Sequence, residues 1–223
     1  MSLSMSLRWN IAQAVERKWW QNYLRKKPVG EYLEWKRNYW QELLAPINQL
    51  IEFEKPQEIL DAGCGPAGTF LVLEQHNVTA VDPLINQYKN DLHHFDPKRN
   101  PWVNFINKPL EEYSAQTQFD GVFCMNAINH VVDIDKAWDM LFATIKPGGW
   151  IVTTIDAHNH AGLKHLFRAI PGDVLHPHQY DLKEYESMLS ERGCEITYRK
   201  NLKSEFFFDH WILAGRISSS NQK

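Results

Sequence analysis

A change of pattern at Pro56 constrains the fold more than any other feature of this chain. From there on, short apolar runs of strand length alternate with runs of helical periodicity. This alternation is typical of a parallel sheet whose right-handed crossover helices cover both faces, so we predict a doubly wound α/β domain. The predicted strands are residues 58–61, 78–82, 103–106, 121–125 and 150–155, and the predicted helices between them are residues 69–75, 84–95 and 134–145.

The last third of the chain has a different pattern. Asp181, followed three residues later by Glu184, is typical of a capped helix start, and Gly193 is a typical helix stop. Two apolar runs follow, at residues 194–198 and 206–214, with a polar turn between them. We predict a hairpin that closes one edge of the sheet, which gives a mostly parallel, seven-stranded sheet with an antiparallel last strand.

The part before Pro56 is predicted to be a helical extension that carries five of the nine tryptophans. Apolar residues recur with helical spacing over residues 9–25, on a face that includes Val15 and Trp19, and again over residues 32–51. The aromatic rings of these two predicted helices either only pack the extension onto the core or also line a substrate pocket. Trp35 is a candidate for such a pocket residue. We predict three parts, a helical extension or lid over 1–55, a main domain over 56–217 and a disordered tail over 218–223.

The first functional signal is a glycine-rich turn that follows the first predicted strand. Gly63 and Gly65 allow the backbone to take positive φ and to approach a ligand closely. A helix beginning near Thr69 would point its positive end at this turn and favour a carboxylate or phosphate. The second strand ends at Asp82, where an acid can accept hydrogen bonds from both hydroxyls of a ribose. Turn and acid together predict a nucleoside site.

Further segments follow the turn in a characteristic order, and with them the chain resembles the class I S-adenosylmethionine-dependent methyltransferases from residue 59 to about residue 154. The resemblance is strongest to small-molecule members, which include the O-methyltransferases of ubiquinone synthesis. It implies a Rossmann-like fold and transfer of a methyl group to an O, N or C atom of a small acceptor. The matching segments are residues 60–65, 81–82, 110–111, 119–122, 129–133 and 146–149.

The resemblance also implies a role for ten residues in binding S-adenosylmethionine. The methionine part would be held by Asp61, Gly63, Cys64 and Gly65. The ribose would bind Asp82, the adenine would lie among Pro83, Leu110 and Glu111, and the sulfonium would lie above Met125 and Asn126.

Two departures from the family pattern concern this site. Ala67 stands where the third glycine of the turn is usual, and Gly68 follows one position later, which shifts the expected helix start. Lys108 and Pro109 stand where many members have Gly-Asp, so the usual carboxylate contact to the adenine amino group is not expected.

Three other functions compete with methyl transfer to a small molecule. Glycines at 63, 65 and 68 also satisfy the dinucleotide pattern of oxidoreductases, but residues 129–130 and 146–149 have no counterpart there. Methylation of nucleic-acid bases is disfavoured because residues 124–127 lack the Asn/Asp-Pro-Pro-Tyr motif. A non-catalytic protein that binds the cofactor and regulates a partner remains the alternative.

Methyl transfer from a sulfonium mainly requires alignment, and a base is needed only when the acceptor must lose a proton. His130, after the fourth strand, is the candidate base, although it could equally cap or pack the next helix. Histidines in two later loops are candidates for binding the acceptor, namely His158, His176 and His178. No carboxylate-rich frame accompanies them, so no metal site is predicted.

Charge and cysteine content limit the partners and the cellular compartment that we expect for this chain. The net charge is −3 and no Lys/Arg run exceeds three residues, so we expect neither nucleic acid nor a membrane surface as partner. Three cysteines without metal-ligand spacing favour a reducing compartment. With no signal-peptide pattern at the start, we expect a cytoplasmic monomer or homodimer.

Overall fold

Seven strands of the computed structural model, which describes residues 3–159 and 180–219, form one mixed sheet. They are β1 (Glu58–Ala62), β2 (Asn77–Val81), β3 (Val103–Ile106), β4 (Phe119–Met125), β5 (Ile145–His158), β6 (Cys194–Ser204) and β7 (Phe208–Ile217). Their order is β3-β2-β1-β4-β5-β7-β6; the first five pair in parallel, and β7 runs antiparallel to both neighbours. The predicted doubly wound sheet with an antiparallel last strand is confirmed.

Helices cover both faces of this sheet. Their bounds are α1 (Leu3–Leu24), α2 (Val29–Leu44), α3 (Ile85–Asp91), α4 (Ile134–Thr144) and α5 (Leu182–Glu191). None of the helices described is long and apolar enough to cross a membrane. The predicted capping box starts α5, since Glu184 N donates to Asp181 Oδ1 at 3.0 Å and Asp181 N donates to Glu184 Oε2 at 2.8 Å.

Alternation along the central strands divides the core between the two faces. In β1, Ile59 packs into the cluster under α1, α2 and α3, whereas Leu60 packs into the cluster under α4 and α5. In β4, Phe123 and Val122 divide in the same way. Residues on both faces of β1 and β4 are buried, as expected for parallel strands between two helical layers.

The prediction of a helix over residues 69–75 is wrong. Only a short 3₁₀ turn, Thr69–Val72, follows the glycine turn. Phe70 to Leu73 are each at most 8% exposed, so this segment has no polar face to present to water as a surface helix would. The expected helix dipole is therefore absent.

Two other helices are shorter than predicted. The second helix ends at Leu44, and Pro46 lies in the 3₁₀ turn Ala45–Ile47 that follows it. The third helix covers Ile85–Asp91 in place of residues 84–95.

Candidate active site

A cavity of about 520 Å³ lies at the carboxyl edge of the parallel strands, under α1 and α2. Nine of the ten residues that the sequence assigned to the cofactor line it, namely Gly63, Cys64, Gly65, Asp82, Pro83, Leu110, Glu111, Met125 and Asn126. The tenth, Asp61, is 1% exposed and lies beneath the turn.

Gly63 packs the turn against both neighbouring strands. Its N–H donates to Val81 O of β2 at 2.7 Å, and its φ is 67°. A Cβ at this position would lie 2.2 Å from the Cβ of Ala127, in the loop after β4. Both the backbone conformation and the space require glycine here.

Asp61 supports the turn from below. Its Oδ2 accepts a hydrogen bond from Phe70 N at 2.9 Å, and burial raises the pKa of this carboxyl to about 6. A Cβ on Gly68 would lie 2.6 Å from the same oxygen and 2.4 Å from Cys64 O. The displaced third glycine is therefore required where it stands.

Asp82 connects the end of β2 to the same turn. Its Oδ2 accepts from Gly65 N at 3.0 Å and its Oδ1 accepts from Leu84 N at 2.8 Å. The side chain is only 5% exposed, and burial raises its pKa to about 6. Glycine turn and acid thus face one cavity.

The α1 helix brings a second carboxylate, Glu16, into the cavity. Burial and the neighbouring charge of Asp82 raise the pKa of Glu16 to about 7. Of the apolar face predicted for this helix, Trp19 and Tyr23 line the cavity, whereas Val15 is 44% exposed. The spacing of Trp9, Gln13, Glu16 and Trp20 is the signal that could have identified the cavity-facing side.

Aromatic rings of α1 and α2 form the wall of the cavity opposite the sheet. Trp19 and Tyr23 stack with centroids 4.8 Å apart and planes 8° apart. Lys36 Nζ lies 4.8 Å from the ring centroid of Tyr39 and 4.7 Å from that of Trp40, and burial lowers the pKa of Lys36 to about 8. This wall, and Lys36 in it, were not predicted in detail.

Trp40 fixes this wall to the glycine turn. Its Nε1 donates to Ala67 O at 3.0 Å. Trp35, the tryptophan singled out from the sequence, is 50% exposed and is not among the residues that line the cavity.

The end of β4 forms the floor. Asn126 takes a positive φ of 53° and its N–H donates to Thr154 O at 3.2 Å. Glu111 lines the cavity while its Oε1 accepts from Val132 N at 2.7 Å, which fixes the loop that carries His130.

The predicted histidines lie in different places. His130 lines the cavity on the turn Ile128–His130. His158 is 5% exposed, packs against Phe208 with centroids 4.5 Å apart and does not line the cavity. His176 and His178 lie outside the described residues. Over residues 3–159 and 180–219, no group of three or more potential ligands could hold a metal ion.

Sequence reasoning missed His210 of β7, which also lines the cavity. Its Nδ1 donates to Asp156 Oδ1 of β5, and this hydrogen bond raises the pKa of His210. No local motif marks the pair, because its members are 54 residues apart and meet only through antiparallel pairing of β5 and β7.

Comparisons with known proteins agree with this geometry. A family model described as a methyltransferase domain matches residues 32–199. A ubiquinone biosynthesis O-methyltransferase of Rickettsia bellii (strain OSU 85-389) is 32% identical over 168 residues, which cover 70% of this chain and 69% of that protein. Another from Rickettsia prowazekii (strain Madrid E) is 26% identical over 223 residues, covering 87% of each chain.

Two solved structures share the fold. The 1,6-didemethyltoxoflavin-N1-methyltransferase of Burkholderia thailandensis superposes with a TM-score of 0.58 at 16% identity, over 92% of this chain and 88% of that one. The N-methyltransferase NodS of Bradyrhizobium japonicum has a TM-score of 0.59 at 16% identity, over 87% and 90%. Both were solved with S-adenosylhomocysteine bound. The chain belongs to the methyltransferase-domain family and is an S-adenosylmethionine-dependent methyltransferase.

Proposed function

We propose that this enzyme transfers the methyl group of S-adenosylmethionine to an oxygen atom of a small aromatic acceptor. The observation that carries the proposal is the continuity of one cavity from the glycine turn to the aromatic wall of α1 and α2. Flat rings in the wall favour a flat acceptor. The names of the Rickettsia relatives, all ubiquinone biosynthesis O-methyltransferases, support oxygen as the acceptor atom.

The cavity residues fit the cofactor. The glycine turn allows the methionine part to approach the backbone of Gly63 to Gly65, while the buried carboxylate of Asp82 suits a ribose. Asp61 would act from below, by holding the turn. When bound, the cofactor supplies a methyl group already activated on a cationic sulfur, so the residues of this chain have to align the acceptor and exclude water.

Two donors on α2 favour an acidic oxygen in the acceptor. Tyr32 and Lys36 are four residues apart and line the cavity from one helix face. The Tyr32 hydroxyl is buried and has no hydrogen-bond partner among the described residues, and Lys36 forms no ion pair among them. An ammonium and a phenol without protein acceptors suit a phenolate or carboxylate oxygen of the ligand. His158, His176, His178 and Trp35 stay predictions as acceptor contacts.

The acceptor hydroxyl must lose its proton, and two histidines line the cavity to accept it. His210 is fixed at Nδ1 by Asp156, which leaves Nε2 as the basic atom. We place His210 in this role, and His130 stays the prediction made from the sequence.

The test uses S-adenosylmethionine with a deuterated methyl group and matched phenols and anilines of equal ring size, with products located by mass spectrometry. Label on phenol oxygen, and a raised KM for phenols in Lys36→Met, are expected. Label only on nitrogen or carbon, or no transfer to any phenol, contradicts the proposal. Comparison of His210→Gln with His130→Gln then identifies the base. The variant that has lost the base should show the larger fall in kcat, and this fall should be greatest at low pH, where the acceptor hydroxyl does not ionise by itself.

A further inference from the structure

We propose that Glu16 is a cofactor-binding residue, contributed by α1, whose carboxylate shares the ribose hydroxyls of S-adenosylmethionine with Asp82. The proposal rests on the placement of the ribose at Asp82, and it is independent of which acceptor the enzyme uses. It makes α1 part of the cofactor site in addition to the wall facing the acceptor.

An ion pair on the outer side of α1 holds Glu16 in this position. Arg17 Nη2 donates to Asp91 Oδ1 at 2.9 Å, and Arg17 Nε contacts the second oxygen, so the helix is fixed to the end of α3 by a two-point contact. One turn further on, Trp20 covers the glycine turn, since a Cβ on Gly65 would lie 3.7 Å from its ring. Glu16 therefore faces the cavity between two fixed points.

The second argument is the electrostatic imbalance in the cavity. The ionisable groups around Glu16 are Asp82 at the end of β2, Tyr88 of α3 and Cys64 of the turn, with Asp61 beneath it; none of these is a cation. Lys36, His130 and His210 line the same cavity, but none of them shifts the pKa of Glu16. The buried carboxylate of Asp82 and the half-buried carboxylate of Glu16 thus interact without a compensating cation. Ionising both is unfavourable unless a ligand adds donors to those of Trp20 and Tyr88.

Tyr88 adds a third observation. Its side chain is 1% exposed, and its hydroxyl interacts with the carboxylates of both Asp82 and Glu16, so a single O–H donor faces two acceptors. A ribose brings two hydroxyl donors, so Asp82 can accept from one hydroxyl and Glu16 from the other. The sulfonium of S-adenosylmethionine adds a positive charge. Binding should then favour the ionised acids and release protons near neutral pH.

The experiment is calorimetry of S-adenosylhomocysteine binding at pH 6.5 in two buffers of different ionisation enthalpy, which gives affinity and protons released. Glu16→Gln keeps the shape of the side chain and removes its charge. Glu34→Gln, on the exposed side of α2, is the matched control. We expect roughly tenfold weaker binding and fewer released protons for Glu16→Gln, from the loss of one charged hydrogen bond, and wild-type values for Glu34→Gln.

Adenosine and 2′-deoxyadenosine locate the contact. The affinity ratio between the two nucleosides should be smaller in Glu16→Gln than in the wild type. An unchanged affinity and proton count, or an unchanged ratio, overturns the proposal. Ligand-free Glu16→Gln should unfold at the same or a higher temperature than the wild type at pH 8; a lower temperature would contradict the unfavourable carboxylate pair. No methyl transfer is measured, so failure here is distinct from failure of the proposed acceptor.

Discussion

At the scale of single residues, Gly63 is the position in the glycine turn where we expect a side chain to be tolerated least. A side chain there meets Ala127 at 2.2 Å and must also adopt a φ of 67°. Gly30, in the first turn of α2, has open space where a Cβ would lie, with nothing within 4 Å, and needs no special φ. The two glycines therefore make a matched pair.

We expect Gly63→Ala to lower the free energy of unfolding by about 2–3 kcal/mol, because strain and overpacking add. Gly30→Ala should leave it unchanged or raise it by up to about 1 kcal/mol. Urea unfolding measures both. Equal effects of the two substitutions would contradict the steric argument at Gly63.

Asp82→Ala removes the acceptor for two backbone N–H groups, Gly65 N and Leu84 N, as well as the proposed ribose contact. We expect at least roughly tenfold weaker binding of S-adenosylhomocysteine, since buried donors are left without partners. Calorimetry gives the affinity, and circular dichroism shows whether the fold persists. Wild-type affinity in a folded Asp82→Ala variant would remove this residue from the cofactor site.

At the scale of elements, α2 is coupled to the glycine turn through one indole. Trp40→Phe leaves the carbonyl of Ala67 without its donor and opens space in a site that is 7% exposed. We expect a loss of about 2 kcal/mol of unfolding free energy together with weaker cofactor binding. Trp35→Phe, at a half-exposed site, is the control and should change both quantities much less. Equal losses in the two variants would refute the coupling.

Elements with a strong local pattern could be predicted from the sequence, and those shaped by distant contacts could not. β3 lies where it was predicted, at Val103–Ile106, because its short, mostly apolar run has Pro101 shortly before it and Asn107 directly after it. The segment after Gly68 was misassigned, since its apolar run is buried on all sides in place of forming one helical face. The glycine turn and Asp82 could be predicted because they belong to a local sequence motif. Glu16 and His210 could not, because they reach the cavity only through tertiary packing.

At the scale of the whole molecule, buried acids make stability depend on pH. The folded-state pKa values of Asp61 and Asp82 are about 6 and that of Glu16 is about 7, all raised mainly by burial. The unfolded chain releases these protons at lower pH, so folded protein binds more protons than unfolded protein between about pH 4 and 7. Below about pH 4 these groups are protonated in both states, and the free energy of unfolding is at its highest with respect to them. It decreases as the pH rises through their folded-state pKa values.

We therefore expect the unfolding temperature of the ligand-free protein to fall between about pH 5 and pH 7.5. His210 acts in the same direction, because its pKa is raised by Asp156. Added S-adenosylmethionine should raise the unfolding temperature more at about pH 7.5 than at pH 5. Differential scanning calorimetry tests both statements, and a constant or rising unfolding temperature would contradict them.

The contact of Arg17 with Asp91 has a kinetic consequence. We expect S-adenosylhomocysteine to leave the site under α1 as this helix moves away from α3, and the guanidinium–carboxylate pair that resists the movement lies at the surface. Dissolved ions weaken such pairs. Departure of S-adenosylhomocysteine should accordingly quicken as ionic strength increases, which stopped-flow fluorescence of the nearby tryptophans can follow, and Arg17→Met should abolish most of that dependence.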